Sequence, residues 1–155
     1  MPLLSLADSA TLKHTIDRIS KVTPEARAQW GRMNAHQMLC HLSDSFSLPL
    51  GTKSASPATG VFQRTAMKWG ALYVPLPWPK LLPTRPEMDQ FDGGTPPAHF
   101  DSDRARLVAA IQSFAAPSSD AANFHPHPMF LKMSRWEWMR WGYLHADHHL
   151  RQFGA

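Results

Sequence analysis

The chain has 155 residues, which is long enough for one domain with a hydrophobic core, and a single domain over residues 1–155 is expected. A net charge of +4, scattered without any run of basic residues, argues against a nucleic-acid-binding protein. The lone Cys40 excludes an intrachain disulfide, and neither a signal peptide nor a membrane span of about 20 apolar residues is visible. The expectation is therefore a cytoplasmic protein without nucleic-acid or membrane partners.

Two amphipathic helices are predicted in the first third of the chain. The first spans Asp8 to Val22, with Asp8 or Ser9 as its N-cap, and the second spans Met33 to Ser47. The second helix begins with a predicted capping box formed by Asn34 and Gln37. The predicted apolar faces are Leu12, Ile16 and Ile19 on the first helix, and Met38, Leu42 and Phe46 on the second.

Residues 51–97 form a long connection that is rich in proline. A helix over residues 61–73 is compatible with the pattern and has Phe62, Ala66 and Trp69 on one side. Five prolines between residues 75 and 86 then exclude regular helix. We expect an ordered loop there, packed over the core by Trp78, Leu81 and Leu82.

Two further helices are predicted in the second half of the chain. One spans Phe100 to Phe114 and the other spans Ser134 to Phe153. The predicted boundary residues are Asp101 or Ser102 at the start of the former, and Ser134 with Glu137 and then Gly154 at the two ends of the latter. Because alternating β-branched runs are missing, the expected fold class is all-α, and a four-helix bundle is the economical way to bury the apolar faces.

The last predicted helix carries a histidine pair at the spacing of metal ligands. His145 and His149 are four residues apart, so both rings lie on one face about one turn apart, whereas His148 points away from that face. Such a pair taken alone is more often packing than a metal site. Trp138 and Trp141 on the same side favour an inward orientation, and buried imidazoles need partners for their nitrogens.

A third ligand is needed, and His41 is the best candidate because it adjoins the apolar face of the second helix. His36 is expected to be exposed, and His127 is expected to pack within a loop. Gln152, three residues after His149, is expected either to orient a ligand or a bound water by a hydrogen bond, or to be a surface amide. Asp44, one turn after His41, is a candidate for a general base, and an ion pair with an arginine, or a helix cap, is the favoured alternative.

Several segments resemble the DinB-like superfamily, in an uncharacterised bacterial branch. They are M-N-A-H-Q-M-L-C-H-L, ending at His41-Leu42, and H-A-D-H-H-L-R-Q-F, from His145 to Phe153, together with W-G-R-M near Trp30 and His127-Pro128-Met129-Phe130. The resemblance implies an up-and-down four-helix bundle with a long connection after the second helix. It also implies a divalent metal ion, commonly zinc or nickel, held by His41, His145 and His149. No thiol-cofactor site can be carried over.

Three functional hypotheses follow. The first is an enzyme with an open fourth metal position: a metal-dependent thiol S-transferase using a low-molecular-weight thiol and an unknown small-molecule substrate, or secondarily a hydrolase. The second is a structural metal site, closed by His127 or Asp44. The third is a binding module with Trp69, Trp78 and Phe91 as its contact surface. A homodimer formed through an exposed helix face is compatible with each of them.

Overall fold

The computed structural model describes residues 3–155, and the fold is all-helical, with no strand in that range. The helices are α1 (Ser9–Lys21), α2 (Ala35–Ser47), α3 (Lys68–Tyr73), α4 (Phe100–Ala115) and α5 (Arg135–Gln152). A π-helical turn, Gln63–Met67, leads into α3, and short 3-10 helices occupy Pro86–Met88 and Ala121–Asn123. The predicted all-α class is confirmed. Met1 and Pro2, which the predicted domain includes, lie outside the described residues.

Side-chain caps set the starts of the two helices that matter most for the site. At α2, the Asn34 side chain accepts the Gln37 N–H and the Gln37 side chain accepts the Asn34 N–H. Ser134 and Glu137 form the same reciprocal arrangement at α5. Both predicted capping boxes are thus confirmed, and each satisfies amide donors that have no partner inside the helix. Gly154 follows α5 with a φ of +72°, a left-handed conformation that glycine adopts without strain.

The buried face of α1 differs from the prediction. Thr11, Thr15 and Ile19 are buried, whereas Leu12 and Ile16 are only half-buried. The Thr15 hydroxyl donates to the Thr11 carbonyl at 2.9 Å, which removes the cost of burying that polar group. The helix can therefore turn its threonine methyl groups inward.

The start of α4 also differs from the prediction. The helix begins at Phe100 after His99, which makes no side-chain cap, and neither Asp101 nor Ser102 caps it. Asp103 instead accepts the backbone N–H of Ala98 at 2.9 Å, just before the helix. This bond fixes the segment before the helix against its first turn, but it caps no amide of α4 itself.

The four longer helices surround one core. The α2 helix packs most extensively against α4, α1 contacts α4 and α5, and α2 also contacts α5. The contacts therefore run in the order α1–α4–α2–α5, whereas successive helices are neighbours in a simple up-and-down bundle. Phe46, Phe114 and Trp138 fill the centre, and Gly142 lets α5 approach the first two of these rings closely.

The long connection covers one side of the helices. The Trp78 indole N–H donates to the Ala71 carbonyl at 2.9 Å, and Trp78 is half-buried against the core as expected. The prediction that Leu81 and Leu82 also pack inward is wrong, since they are 74% and 47% exposed. Leu81 lies in a turn with a φ of 59°, and Met88 is the residue of this connection after α3 that is buried in the core. Between residues 3 and 155, no helix has the length and apolar character that crossing a bilayer would require.

Candidate metal centre

Three imidazole rings from two helices meet between α2 and α5. One ring nitrogen each of His41, His145 and His149 lies within 4.8 Å of the other two. The Nε2 atoms of His41 and His145 are 3.2 Å apart, and the ring of His149 is centred 4.7 Å from that of His41. His41 and His149 are buried, with 4% and 8% exposed, and His145 is half-buried. The spacing is short enough for one ion to contact all three rings.

Helix geometry and aromatic packing position these rings. His145 and His149 follow each other by one turn on α5, which brings their ring centroids to 5.1 Å. His41 lies on the face of α2 that packs against α5. Trp141 contacts His145 edge-on at 5.0 Å, and Trp78 from the long connection lies 5.9 Å from the same ring. The two indoles therefore pack against the ring of His145.

Hydrogen bonds determine which nitrogen of two rings carries the proton. His41 Nδ1 donates to the Met88 carbonyl at 2.8 Å, since a carbonyl can only accept. The Gln152 amide donates to the Trp30 carbonyl at 2.6 Å, so its oxygen faces His149 and accepts from Nδ1 at 2.8 Å. Both rings therefore carry their proton on Nδ1 and direct the Nε2 lone pair into the cluster, as metal-ligating histidines do.

His145 is the ring that this arrangement leaves incomplete. Its Nε2 faces the Nε2 lone pair of His41, so without an ion it must carry the proton there and donate it. Its Nδ1 is then a buried acceptor, and it has no hydrogen-bond partner among the described residues. A cation held by one nitrogen of each ring would take the place of this hydrogen bond, so the donor set fits a divalent metal ion.

Burial keeps the cluster neutral. It lowers the pKa of His41, and it lowers the pKa values of His145 and His149 well below the ordinary value of 6.5. The neighbouring rings add to the effect, because a positive charge on one opposes a charge on the next. Near neutral pH the three imidazoles are therefore uncharged, which is the state that metal binding requires.

The structure does not bring Asp44 into this cluster. Its carboxylate accepts the Thr95 N–H at 2.8 Å and the Thr95 hydroxyl at 2.6 Å, and Lys53 approaches it at 3.4 Å. The Gln90 amide also donates to it at 3.3 Å. Asp44 thus anchors the long connection to α2, with a lysine in place of the expected arginine. A general-base role for it stays an untested prediction.

Two more histidines lie nearby and have other partners. His127 is buried in the loop before α5, as expected, where its Nδ1 accepts the N–H groups of Met129 and Phe130 at 3.2 and 3.1 Å. Burial lowers its pKa to about 3. His148 is also buried, with its ring 5.7 Å from that of Trp30, and its Nδ1 has no partner in residues 3–155. Neither belongs to the group of three.

A second group of potential ligands has a structural explanation. His36, Cys40 and Asp103 bring their ligand atoms within 4.8 Å, but the Arg106 guanidinium already lies 3.2 Å from Asp103 and 3.7 Å from the Cys40 sulfur. Burial and the charge of Asp103 raise the pKa of the Cys40 thiol to about 11. The charge of the Arg106 guanidinium and the protonated thiol both oppose metal binding at this group. Its contacts instead link α2 to α4.

The prediction that His36 is exposed is wrong, because His36 belongs to this link between α2 and α4. Its Nε2 donates to Asp103 at 2.7 Å, and the side chain is only 22% exposed. Burial raises the pKa of Asp103, but the Ala98 N–H, His36 and Arg106 more than offset this, so the pKa lies below its ordinary value. The partner is 67 residues away in the chain, and no pattern within α2 indicates it.

Met88, Trp30 and Trp78 are the residues at this site that the sequence patterns do not indicate. Two of them contribute backbone carbonyls, and any residue type could do so. Of the aromatic side chains considered as a contact surface, Trp69 and Phe91 are exposed, whereas Trp78 packs on His145 and His148. The contact-surface hypothesis therefore keeps two of its three members.

Fold and site together define the class: an all-helical protein with three clustered histidines whose nitrogens are close enough to hold a metal ion. The family model described as "Protein of unknown function (DUF1569)" matches residues 4–155, and the chain belongs to this family. Comparison with curated proteins and comparison with solved structures give no match.

Proposed function

We propose that this protein is a DinB-like, metal-binding helical bundle over residues 1–155 that uses one divalent ion, zinc or nickel, to activate a thiol for S-transfer. The observation that carries the proposal is the convergence of the lone pairs of His41 and His149, fixed by Met88 and Gln152, on the ring of His145. The packing of α1, α2, α4 and α5 around one core supports a bundle, but their contact order differs from that of the expected up-and-down bundle. Imidazole ligands suit both metals.

The composition of the cluster supports a reactive site over a structural one. Structural zinc sites are closed by four protein ligands, whereas catalytic sites have three and leave a position for water or substrate. Within residues 3–155, the group contains three protein ligands. His127 and Asp44, the candidates for a fourth, are engaged by backbone amides and by Thr95 and Lys53.

His41, His145 and His149 would hold the ion as neutral imidazoles, and the ion would then supply a nucleophile near neutral pH by lowering the pKa of a bound water or thiol. The protein's own residues perform the remaining tasks. Met88 and Gln152 hold two rings in the correct tautomer, while Trp78 and Trp141 pack around His145. A metal-dependent hydrolase would use the same residues with water as the nucleophile.

The first experiment measures metal content. Gently purified protein should carry about one divalent ion per chain by elemental analysis. His149→Ala should abolish binding, whereas His148→Ala should preserve it. The two histidines are adjacent on α5 and are both buried, so loss of packing affects the two variants alike. Equal metal content in the two variants, or an absence of metal in the wild type, would contradict the proposal.

The second experiment tests the open position. Protein loaded with cobalt should change its visible spectrum when azide or a small thiol is added, and a thiol should add a sulfur-to-cobalt charge-transfer band. An unchanged spectrum would indicate a closed, structural site and would refute the transferase and the hydrolase together. The metal site itself would survive that result.

A further inference from the structure

The helical segment over residues 61–73 turns its apolar side outward. Phe62, Trp69 and Tyr73 are 61%, 63% and 41% exposed, whereas Leu72 is buried and Met67 packs against the core from the opposite side. Trp69 and Tyr73 lie one turn apart on α3, and Phe62, at the other end of the segment, is the third exposed ring of what we call the aromatic stripe. A stripe of large aromatic residues in water has a free-energy cost that a docking partner would remove.

Neighbouring residues widen this stripe into a surface. The Tyr73 ring packs on Trp136 of α5 at 5.0 Å, and Trp136 is 40% exposed. Val61 precedes the stripe and is 71% exposed. We call the surface formed by Val61, Phe62, Trp69, Tyr73 and Trp136 the outer aromatic face. Trp and Tyr are the side chains most enriched where protein meets the boundary between lipid and water.

The charge around the outer aromatic face is positive. From Ser45 to Pro86 the chain contains no acidic residue, and two of its basic residues, Arg64 and Lys68, lie within the helical segment that carries the face. The acidic group that adjoins the face is Glu137, which Lys68 neutralises at 2.8 Å. Arg64 and Lys132 are exposed, and neither forms an ion pair within residues 3–155. The face therefore attracts an anionic partner.

We propose that the outer aromatic face docks peripherally on an anionic lipid bilayer. Exposed Phe and Trp side chains would enter the interface, and Arg64 and Lys132 would approach the headgroups. This is association with a bilayer surface, and it needs no spanning helix. A second copy of the chain fits less well, because pairing two such faces would bring the same basic groups together. The inference is independent of the metal site.

The test uses the full chain and vesicles. Protein should sediment with vesicles made of equal parts of phosphatidylcholine and phosphatidylglycerol, and much less with pure phosphatidylcholine or at high salt. Replacing both aromatics (Phe62→Ser with Trp69→Ser) should weaken partitioning by at least about tenfold. Arg64→Gln should weaken it by about fivefold. Circular dichroism should show unchanged helix content, since the replaced side chains are exposed.

A matched control is Phe91→Ser, because Phe91 is 49% exposed but lies between Asp89 and Asp92. Its vesicle binding should equal that of the wild type. Failure of the wild type to bind the mixed vesicles would overturn the proposal, as would equal binding by the doubly substituted protein. The face would instead be assigned to self-association if the wild type is a dimer in solution, the doubly substituted protein is a monomer, and neither protein binds vesicles.

Discussion

Replacing Gln152 tests whether its side chain orients His149 for metal binding. The Gln152 amide oxygen accepts from His149 Nδ1 at 2.8 Å, and its nitrogen donates to the Trp30 carbonyl at 2.6 Å. Gln152→Leu removes both bonds. Gln152→Glu keeps an acceptor for His149 but places a carboxylate oxygen, which cannot donate, against the Trp30 carbonyl. The two variants therefore separate the orientation of the ring from the attachment of the Trp30 loop.

The expected size of the effect follows from these two bonds. Loss of a partner behind a ligating histidine lowers metal affinity by about 10- to 100-fold, or about 1.4–2.7 kcal/mol. In Gln152→Leu, the buried His149 N–H loses its acceptor, which costs a further 1–3 kcal/mol or so of folding stability. In Gln152→Glu, zinc affinity should equal or exceed that of the wild type, because a carboxylate makes the ring a stronger donor. Only stability should fall.

The assay is a zinc titration in competition with a chromophoric chelator, paired with urea denaturation of the metal-free protein. The predicted pattern is weak zinc binding by Gln152→Leu and tight binding by Gln152→Glu, with both variants less stable than the wild type. Zinc affinity in Gln152→Leu that matches the wild type would show that the hydrogen bond to His149 does not prepare the ring for a metal, and the tautomer argument would fail.

Three further predictions concern stability and reactivity. Burial lowers the pKa of His127 in the folded protein to about 3, whereas the ordinary value of 6.5 applies in the unfolded chain. As the pH falls below 6.5, the unfolded chain takes up a proton on His127 that the folded protein does not, so the free energy of unfolding decreases. Between neutral pH and about pH 4.5 this amounts to roughly 3 kcal/mol, and urea denaturation of His127→Asn should lack that component of the pH dependence. Gly142→Ala places a methyl group 2.8 Å from Phe114 and 3.1 Å from Phe46. The melting temperature of this variant should therefore drop by an amount equivalent to about 1–3 kcal/mol of folding stability. An unchanged melting temperature would mean that the core adjusts freely to the added methyl group. Cys40, with a pKa of about 11, should react with a thiol reagent only on unfolding, and rapid modification of native protein would contradict its burial.

Helix boundaries were predictable where the signals were local. The capping boxes at Asn34 and Ser134 each involve residues three positions apart, so the sequence contains both partners of each hydrogen bond. The start of α4 was not predictable in this way, because Asp103 is drawn to Ala98 and to His36 on another helix. A helix start without a local cap has no signature in the sequence, and here contacts made by Asp103 outside the helix accompany it.

Apolar faces were less predictable than helix boundaries. The stripe with Phe62 and Trp69 is apolar but faces solvent, whereas α1 buries Thr11 and Thr15. Which side of a helix is buried depends on the space that other helices leave, and periodicity measures only where the apolar residues are. In α2 and α4 the side that periodicity marks as apolar is also the buried side. Its residues Met38, Leu42, Ile111 and Phe114 are fully buried.

The sequence by itself determined the all-helical class and the His145–His149 pair, because both depend on spacing within one helix. Tertiary structure alone decided that His41 meets this pair across 104 residues of chain, and that the Met88 carbonyl directs its lone pair inward. The physical reason is that a backbone carbonyl has no residue signature, and the approach of two helices depends on packing throughout the core.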